Sequence, residues 1–257
     1  MIGSAADLCQ RGLRSKLRRL LLDGDWYLVG SRSTGDADAL SDWDSILITD
    51  AVDAEAPEQS LLDEVFDVHR PVLDGQPTLD FHIAWRSVTA VDLDIITPAT
   101  AAQRAEDMST WAYELSHAQL LHRGTGAGET YRAALTGRFA DECPTLAQQA
   151  YASYRLTRNQ AVSALARPDA AVQTMLAGQC AVAAARTWFL AAGQPAPGPK
   201  WLLPTLDRSP GGSHLADLLR IVLHSDQPGR ADDRFDTHLA IWDALDRRVD
   251  QLGPATN

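Results

Sequence analysis

Two aspartates separated by one residue, Asp42 and Asp44, are the strongest sign of chemistry in the sequence. They stand at the start of an apolar, partly β-branched run that predicts a strand. Residues two apart on a strand face the same side, so both carboxylates would project together while Trp43 projects the other way. Hard oxygen ligands of this kind suit Mg²⁺, which takes its remaining ligands from water and phosphate oxygens. The pair therefore predicts a magnesium site for a phosphorylated substrate.

A Gly-Ser pair precedes these aspartates, at the end of the apolar run 26–29, which predicts a buried strand. Gly30 lacks a side chain, so phosphate oxygens could approach backbone N–H groups there and the Ser31 hydroxyl beside them. Gly30 and Ser31 are therefore candidate phosphate contacts. The next residue, Arg32, fits a phosphate contact and a structural role equally well.

A third acid is expected on a neighbouring strand, and Asp80, at the start of the β-like run 78–85, is the candidate. With it the site could hold two metal ions, which clamp the attacking and leaving oxygens of a displacement at phosphorus. Asp80 could also act as the base that accepts the proton of an acceptor hydroxyl.

Other Asp-x-Asp segments include those at 36–38 and 92–94. No apolar strand ending in Gly-Ser precedes either at the right distance, so both are interpreted as structural. Asp92 and Asp94 nevertheless remain competitors of Asp80 for the third acid. The seven histidines show no zinc-type spacing, and His82 is interpreted as a core or rim residue.

The elements that must position these residues form an α+β pattern. Strands are predicted at 26–29, 42–49, 68–73 and 78–85, with a turn at 74–77, and helices at 5–22, 58–67, 101–117, 128–139, 145–166, 169–192, 213–224 and 235–251. Pro and Gly predict helix connections at 143–144, 167–168, 193–199 and 209–212. We expect an N-terminal α/β catalytic domain with a mixed sheet at 1–125 and a C-terminal α-helical bundle at 126–257 that binds substrate and nucleotide.

The net charge of −11, from 23 Lys and Arg against 34 Asp and Glu, disfavours a nucleic-acid partner and favours a cationic or neutral small molecule. Three scattered cysteines, Cys9, Cys143 and Cys180, are interpreted as free thiols in a reducing compartment. No apolar run approaches the roughly 20 residues of a membrane span. We therefore expect a cytoplasmic protein without a membrane partner.

Gly-Ser, ten intervening residues and then Asp-x-Asp, with a later strand aspartate, resembles the signature of the nucleotidyltransferase superfamily that includes DNA polymerase beta. The helical C-terminal half is similar to the aminoglycoside nucleotidyltransferases. Residues 185–193, followed by Pro199 and Lys200, resemble a helix and loop of the streptomycin and spectinomycin adenylyltransferases. That resemblance implies that Lys200 binds the nucleotide triphosphate, as Gly30, Ser31 and Arg32 would.

The resemblance implies a Mg²⁺-dependent enzyme with two ions that moves a nucleoside monophosphate, AMP from ATP being the expected case, onto a hydroxyl of a small polar acceptor and releases pyrophosphate. An aminoglycoside acceptor would make it an antibiotic-resistance enzyme, while a biosynthetic role remains open. One departure concerns streptomycin: residues 175–178, Met-Leu-Ala-Gly, stand where the streptomycin enzymes carry an acid. Acids that could attract a polycation are Glu106, Asp107 and Glu114.

Two alternatives remain open at this point. The chain could nucleotidylate a protein partner, as small antitoxin-type members of the superfamily are thought to do, or it could be a catalytically silent nucleotide-binding module.

Overall fold

The protein is described by a computed structural model covering residues 24–37, 41–49, 65–69, 72–73, 76–77, 81–85, 91–97, 108–224 and 231–250. The chain divides into two compact units, residues 1–137 and 138–257. The predicted domain boundary at 125 and the separate roles of the two domains stay predictions.

A mixed sheet forms the centre of the first unit. Its strands are β1 (Gly24–Leu28), β2 (Trp43–Thr49), β3 (Val65–His69), β6 (Phe81–Trp85), β7 (Val91–Ile96) and β8 (Gln119–His122). They lie in the order β3-β6-β7-β2-β1-β8. β2 and β7 run parallel, and the other neighbours pair antiparallel. β4 (Val72–Leu73) and β5 (Gln76–Pro77) form a separate antiparallel pair.

The central strands are apolar because both of their faces are covered. All five residues of β1 are buried, as are residues 45–49 of β2. In β7, Leu93, Ile95 and Ile96 are fully buried. A strand covered on both faces is a continuous apolar run rather than an alternating one, which explains why the sequence shows these segments so clearly.

Helices supply most of the remaining structure: α1 (Gly30–Thr34), α2 (Met108–His117), α3 (Ala127–Ala164), α4 (Ala170–Ala191), α5 (Leu202–Arg208), α6 (Ser213–Leu223) and α7 (Ala231–Asp250), with a 3-10 turn at Pro199–Trp201. The predicted α+β class with a mixed sheet therefore agrees with the structure. No helix among the described residues is both long enough and apolar enough to cross a membrane.

The core of the second unit contains buried polar groups among its aliphatic side chains. The Arg158 guanidinium lies 4.0 Å from the centre of the Trp242 ring. His238 is only 1% exposed. Burial, with a smaller effect of Arg158, lowers the pKa of His238 to about 4. This histidine therefore stays neutral in the folded protein at neutral pH.

Three secondary-structure predictions are wrong. A helix connection was expected at 143–144, yet α3 continues through Pro144. Proline removes one backbone hydrogen bond at a cost of about 3 kcal/mol, and the buried neighbours Phe139, Cys143 and Ala147 hold the helix together on either side. Residues 65–67, predicted helical, begin β3, and residues 91–96, interpreted without a strand, form β7. The predicted helix at 5–22 lies outside the described residues.

Candidate functional site: a carboxylate pocket beside Gly30

Asp44 and Asp94 reach one pocket from two neighbouring strands. In the parallel pairing of β2 and β7, Asp44 lies beside Asp92 and Ile46 lies beside Asp94. Asp44 and Asp94 therefore stand two positions apart along the sheet and face the same side. Both line a pocket of about 200 Å³, together with Val29, Gly30, Ser45, Ile46, Trp111 and Glu114.

Gly30 forms the wall of the pocket next to Asp44. Its φ of +68° is in the left-handed region, which side chains other than glycine rarely adopt. A Cβ atom at this position would lie 2.2 Å from Oδ2 of Asp44. The backbone at residue 30 can approach the carboxylate this closely only because there is no side chain.

The one-turn helix α1 fixes the backbone that follows Gly30. The Val29 N–H donates to the Asp44 carbonyl at 2.9 Å, which extends the β1–β2 ladder to the start of the turn. Ser31 is 2% exposed. The Ser33 hydroxyl donates to the Gly30 carbonyl at 2.8 Å, and α1 ends at Gly35, whose φ is +82°. The predicted Gly-Ser turn is thus a tightly bonded turn directly beside Asp44.

Arg32 binds the segment that leads into β2. Its Nε donates to the Asp42 carbonyl at 2.9 Å and its Nη2 to the Ser41 carbonyl at 2.5 Å. The guanidinium carbon lies 4.1 Å from the centre of the Trp43 ring. These contacts give Arg32 a structural part in the site, while its predicted nucleotide contact stays a prediction.

Helix α2 contributes Trp111 and Glu114 to the pocket lining. The Trp111 indole N–H donates to the Tyr131 hydroxyl at 2.8 Å, which fixes the ring from α3. Glu114 is one of the three acids expected to attract a cationic acceptor. The other two, Glu106 and Asp107, lie outside the described residues.

The pocket offers carboxylate oxygens, the donors that Mg²⁺ prefers. Within the described part of the chain, no three His, Cys, Asp or Glu side chains lie close enough together to enclose a metal ion. Mg²⁺ is usually held by one or two carboxylates and otherwise by water and phosphate, and Asp44 and Asp94 are lining residues that offer such carboxylates.

The predicted acids differ in where the structure places them. Asp44 lines the pocket, whereas the half-buried Asp42 lies just before β2 and is not among the described lining residues. Asp80 lies outside the described residues, so its metal or base role stays a prediction. Phe81, the first residue of β6, pairs with Ile95. Ile95 in turn pairs with Leu47, three positions beyond Asp44.

Asp94 is the pocket residue that the sequence interpretation undervalued. The segment 92–94 was interpreted as structural because no Gly-Ser turn precedes it, although Asp92 and Asp94 were retained as competitors. The alternation of Val91, Leu93 and Ile95 with acids was the available strand signal.

Lys200 belongs to the second unit, where it is exposed in the 3-10 turn. Its ammonium lies 5.0 Å from the centre of the Trp201 ring. Its predicted contact with the nucleotide triphosphate stays a prediction.

Asp25 of β1 is fully buried, whereas the sequence pattern predicts it as part of a turn before the strand. Its Oδ1 accepts the N–H groups of Gly124 at 2.7 Å and Gly126 at 3.3 Å, and its Oδ2 accepts that of Gly128 at 2.8 Å. The alternating glycines at 124, 126 and 128 were the available signal. This carboxylate anchors the start of α3 and is structural.

No family model matches the chain, and no curated protein matches it. Among solved structures, the chain is similar to the crystal structure of a nucleotidyltransferase-like protein from Exiguobacterium sibiricum 255-15, with a TM-score of 0.44 and 12% sequence identity. The alignment covers 96% of this chain and 75% of the other. A likeness this distant does not decide the function.

Proposed function

We propose that this protein is a magnesium-dependent nucleotidyltransferase. It would move a nucleoside monophosphate, AMP from ATP being the expected case, onto a hydroxyl of a small polar acceptor such as an aminoglycoside or related amino sugar, and release pyrophosphate. The observation that carries the proposal is the meeting of Asp44, Asp94 and the side-chain-free backbone of Gly30 in one pocket.

The arrangement supports phosphoryl chemistry because it combines anionic ligands with an approachable backbone. Asp44 and Asp94 come from adjacent central strands, whose pairing fixes their spacing. The absence of a side chain at Gly30 lets the Asp44 carboxylate lie against its backbone, and Gly30 and Ser31 are the proposed phosphate contacts of this turn. Lys200 is proposed to bind the triphosphate, as the resemblance of residues 185–200 implies.

In the proposed reaction, the acceptor hydroxyl oxygen forms a bond to the α-phosphorus, and the bond from that phosphorus to the oxygen bridging the α- and β-phosphates breaks. Pyrophosphate leaves with the electron pair of the broken bond. The hydroxyl proton passes to a carboxylate, a role we assign to Asp94, with Asp80 as the alternative. Bound magnesium would neutralise charge that develops on the phosphate oxygens. Asp42 and Asp44 would hold one or two such ions, with Asp80 as the further ligand.

Charge favours a cationic acceptor. Glu114 of α2 lines the pocket, and the whole chain carries a net charge of −11. An ammonium group of an amino sugar would pair with Glu114, whereas a nucleic-acid acceptor would be repelled. Glu114→Gln should therefore raise KM for a cationic acceptor more than it lowers kcat.

Pyrophosphate release tests the proposal directly. Purified protein is incubated with ATP, GTP, CTP or UTP, Mg²⁺ and a panel of amino-sugar acceptors, and both pyrophosphate and the mass of the acceptor are measured. Asp94→Asn and Asp80→Asn are compared in the same assay, because the true third acid should lose far more turnover than the other. Asp169→Asn is the matched control, since Asp169 caps α4 through the Val172 N–H and asparagine caps equally well.

Two other outcomes would replace this function. Transfer to a protein, seen as a mass increase of co-purified proteins without acceptor turnover, would support the alternative of protein nucleotidylation. Nucleotide binding without turnover, unchanged in Asp44→Asn and independent of Mg²⁺, would indicate a silent binding module. Absence of both pyrophosphate release and nucleotide binding would refute a nucleotidyltransferase altogether.

A further inference from the structure

Arg32 makes two hydrogen bonds and one aromatic-ring contact with three consecutive residues. Two of its N–H groups donate to the successive carbonyls of Ser41 and Asp42, and its guanidinium lies over the Trp43 ring. These partners are nine to eleven residues away in sequence. One side chain of α1 therefore holds the whole entry of β2.

The contacts depend on the shape of the guanidinium as well as on its charge. A planar fork of donors can bind two neighbouring carbonyls at once while its flat face stacks on an aromatic ring. A lysine ammonium at the same place carries the same charge, but it is a single point with no flat face. A phosphate ligand, by contrast, is attracted mainly by charge, and lysine commonly binds phosphate in proteins.

The residues held by Arg32 lead directly to the pocket. Trp43 lies between Asp42 and Asp44, and alternation along the strand places its ring on the face opposite their side chains. Asp44 is the residue whose Oδ2 lies against the backbone of Gly30. By holding the backbone of residues 41–43, Arg32 therefore fixes the position at which the Asp44 carboxylate enters the pocket.

We propose that Arg32 is a positioning residue that holds the 41–43 backbone and so sets the placement of Asp44, and that it does not bind the nucleotide. The kinetic part of this inference rests on the proposed nucleotidyltransferase function. The structural part, the restraint of β2 entry, does not depend on any activity.

The variants Arg32→Lys and Arg32→Met separate the two roles. If Arg32 positions Asp44, both variants lose the fork, so kcat should fall by about 10- to 100-fold in each, with KM for the nucleotide changed by less than about threefold. If Arg32 binds phosphate, Arg32→Lys should keep most of the activity while Arg32→Met raises KM. Arg138→Lys is the control, because Arg138 forms an exposed ion pair with Glu142 on α3 and should leave kcat and KM unchanged.

Hydrogen exchange of the backbone amides gives a readout without turnover. In both Arg32 variants the amides of residues 41–46 and the Val29 N–H, which donates to the Asp44 carbonyl, should exchange faster than in the wild type. Amides of α4 should exchange as before. Unchanged exchange at 41–46, or activity retained by Arg32→Lys, overturns the positioning role. Faster exchange in a protein that shows no nucleotidyl transfer at all would uphold the positioning role and refute the proposed function instead.

Discussion

Two acids of the first unit, Asp25 and Asp44, each lie against glycine backbone, yet only one of them lines a pocket. The Asp25 carboxylate is fully buried and accepts N–H groups from Gly124, Gly126 and Gly128. The Asp44 carboxylate lies against Gly30 and lines a pocket that also contains Asp94 and Glu114. Both acids stand on adjacent central strands of the same sheet.

The difference shows that an acid beside glycine is not in itself a sign of function. At Asp25 the glycine N–H groups point at the carboxylate and satisfy it, so the acid stabilises the fold. At Asp44 the glycine only makes room, and other acids gather on the same side of the sheet. What separates the two sites is the direction of the backbone donors and the presence of a pocket.

The largest expected effect comes from exchanging each acid for its amide. Asp44→Asn should lower turnover about a thousandfold or more, because it removes a carboxylate that would hold the magnesium ion beside the reacting phosphate. Its free energy of unfolding should change little, since the side chain stays half-buried and keeps its size. Pyrophosphate release and urea unfolding of the same preparations measure both quantities.

Asp25→Asn should behave in the opposite way. The amide places an NH₂ group among backbone N–H donors, which leaves at least one buried donor without an acceptor and costs about 1–3 kcal/mol of unfolding free energy. Turnover per folded molecule should stay close to that of the wild type. The comparison breaks down if Asp25→Asn loses turnover while remaining fully folded.

Gly30→Ala and Gly35→Ala test whether the space beside Asp44 matters apart from backbone strain. Both glycines have positive φ, so each alanine should cost about 1–2 kcal/mol of stability. Among the described residues, the Cβ at residue 30 meets Oδ2 of Asp44, whereas a Cβ at residue 35 meets none within 4 Å. Gly30→Ala should therefore also lose about 100-fold in turnover through the displaced carboxylate. Equal turnover in the two variants would count against the pocket as the active site.

Acid sensitivity should arise partly from the second unit, and this effect must be separated from titration of the pocket. The pKa of His238 falls from 6.5 to about 4 on folding, so protons bind the unfolded chain more readily. Above pH 6.5 this histidine therefore does not reduce the free energy of unfolding. As the pH falls from 6.5 toward 4, it lowers that free energy by up to about 3 kcal/mol.

The variant His238→Leu removes that proton uptake. Its unfolding free energy should depend less on pH between 6.5 and 4 than that of the wild type, by the same amount. Urea unfolding at several pH values measures the difference between the two proteins. If the two pH dependences are parallel, the decline belongs to other groups.

The smallest effects compare two glycines of α3. A Cβ at Gly128 would lie 2.7 Å from ring atoms of Tyr27 and 2.8 Å from Cβ of Asp25. Gly128→Ala should therefore destabilise the protein by about 1–3 kcal/mol through overpacking. A Cβ at Gly137, farther along the helix, meets no atom of the described part of the chain within 4 Å, so Gly137→Ala should stabilise the protein by about 0.5–1 kcal/mol. Thermal unfolding of both variants, with equal turnover in the pyrophosphate assay, provides the check.

The sequence was sufficient to predict those strands and helices whose own pattern of apolar and polar residues indicates their structure. The buried run of β1, the acids that open β2 and the helices α4 and α6 agree closely with their predicted ranges. The prediction of a helix connection at Pro144 is wrong because packing on both sides of the proline outweighs the loss of one hydrogen bond. That packing depends on distant parts of the chain and cannot be inferred from the local sequence.

The pocket depended on information that one segment does not contain. The pairing of β2 with β7 places Asp94 two register positions along the sheet from Asp44. These two strands are far apart in the chain, so neither segment predicts the pairing. Glu114 was named as a candidate by its charge alone, and only the packing of α2 places it in the pocket. The glycines around Asp25 were overlooked because their partner lies about a hundred residues away.

The parallel pairing of β2 and β7 also bears on how the protein is made. Fifty residues separate Asp44 from Asp94, so at about 5–20 residues per second a ribosome needs roughly 3–10 s to add the second acid after the first. During that interval the nascent chain has the Gly30 turn and Asp44 but lacks the strand that completes the pocket. Strand β8, at the edge beside β1, follows later still. A nascent chain that stops before residue 91 would therefore carry the sequence signature without a site.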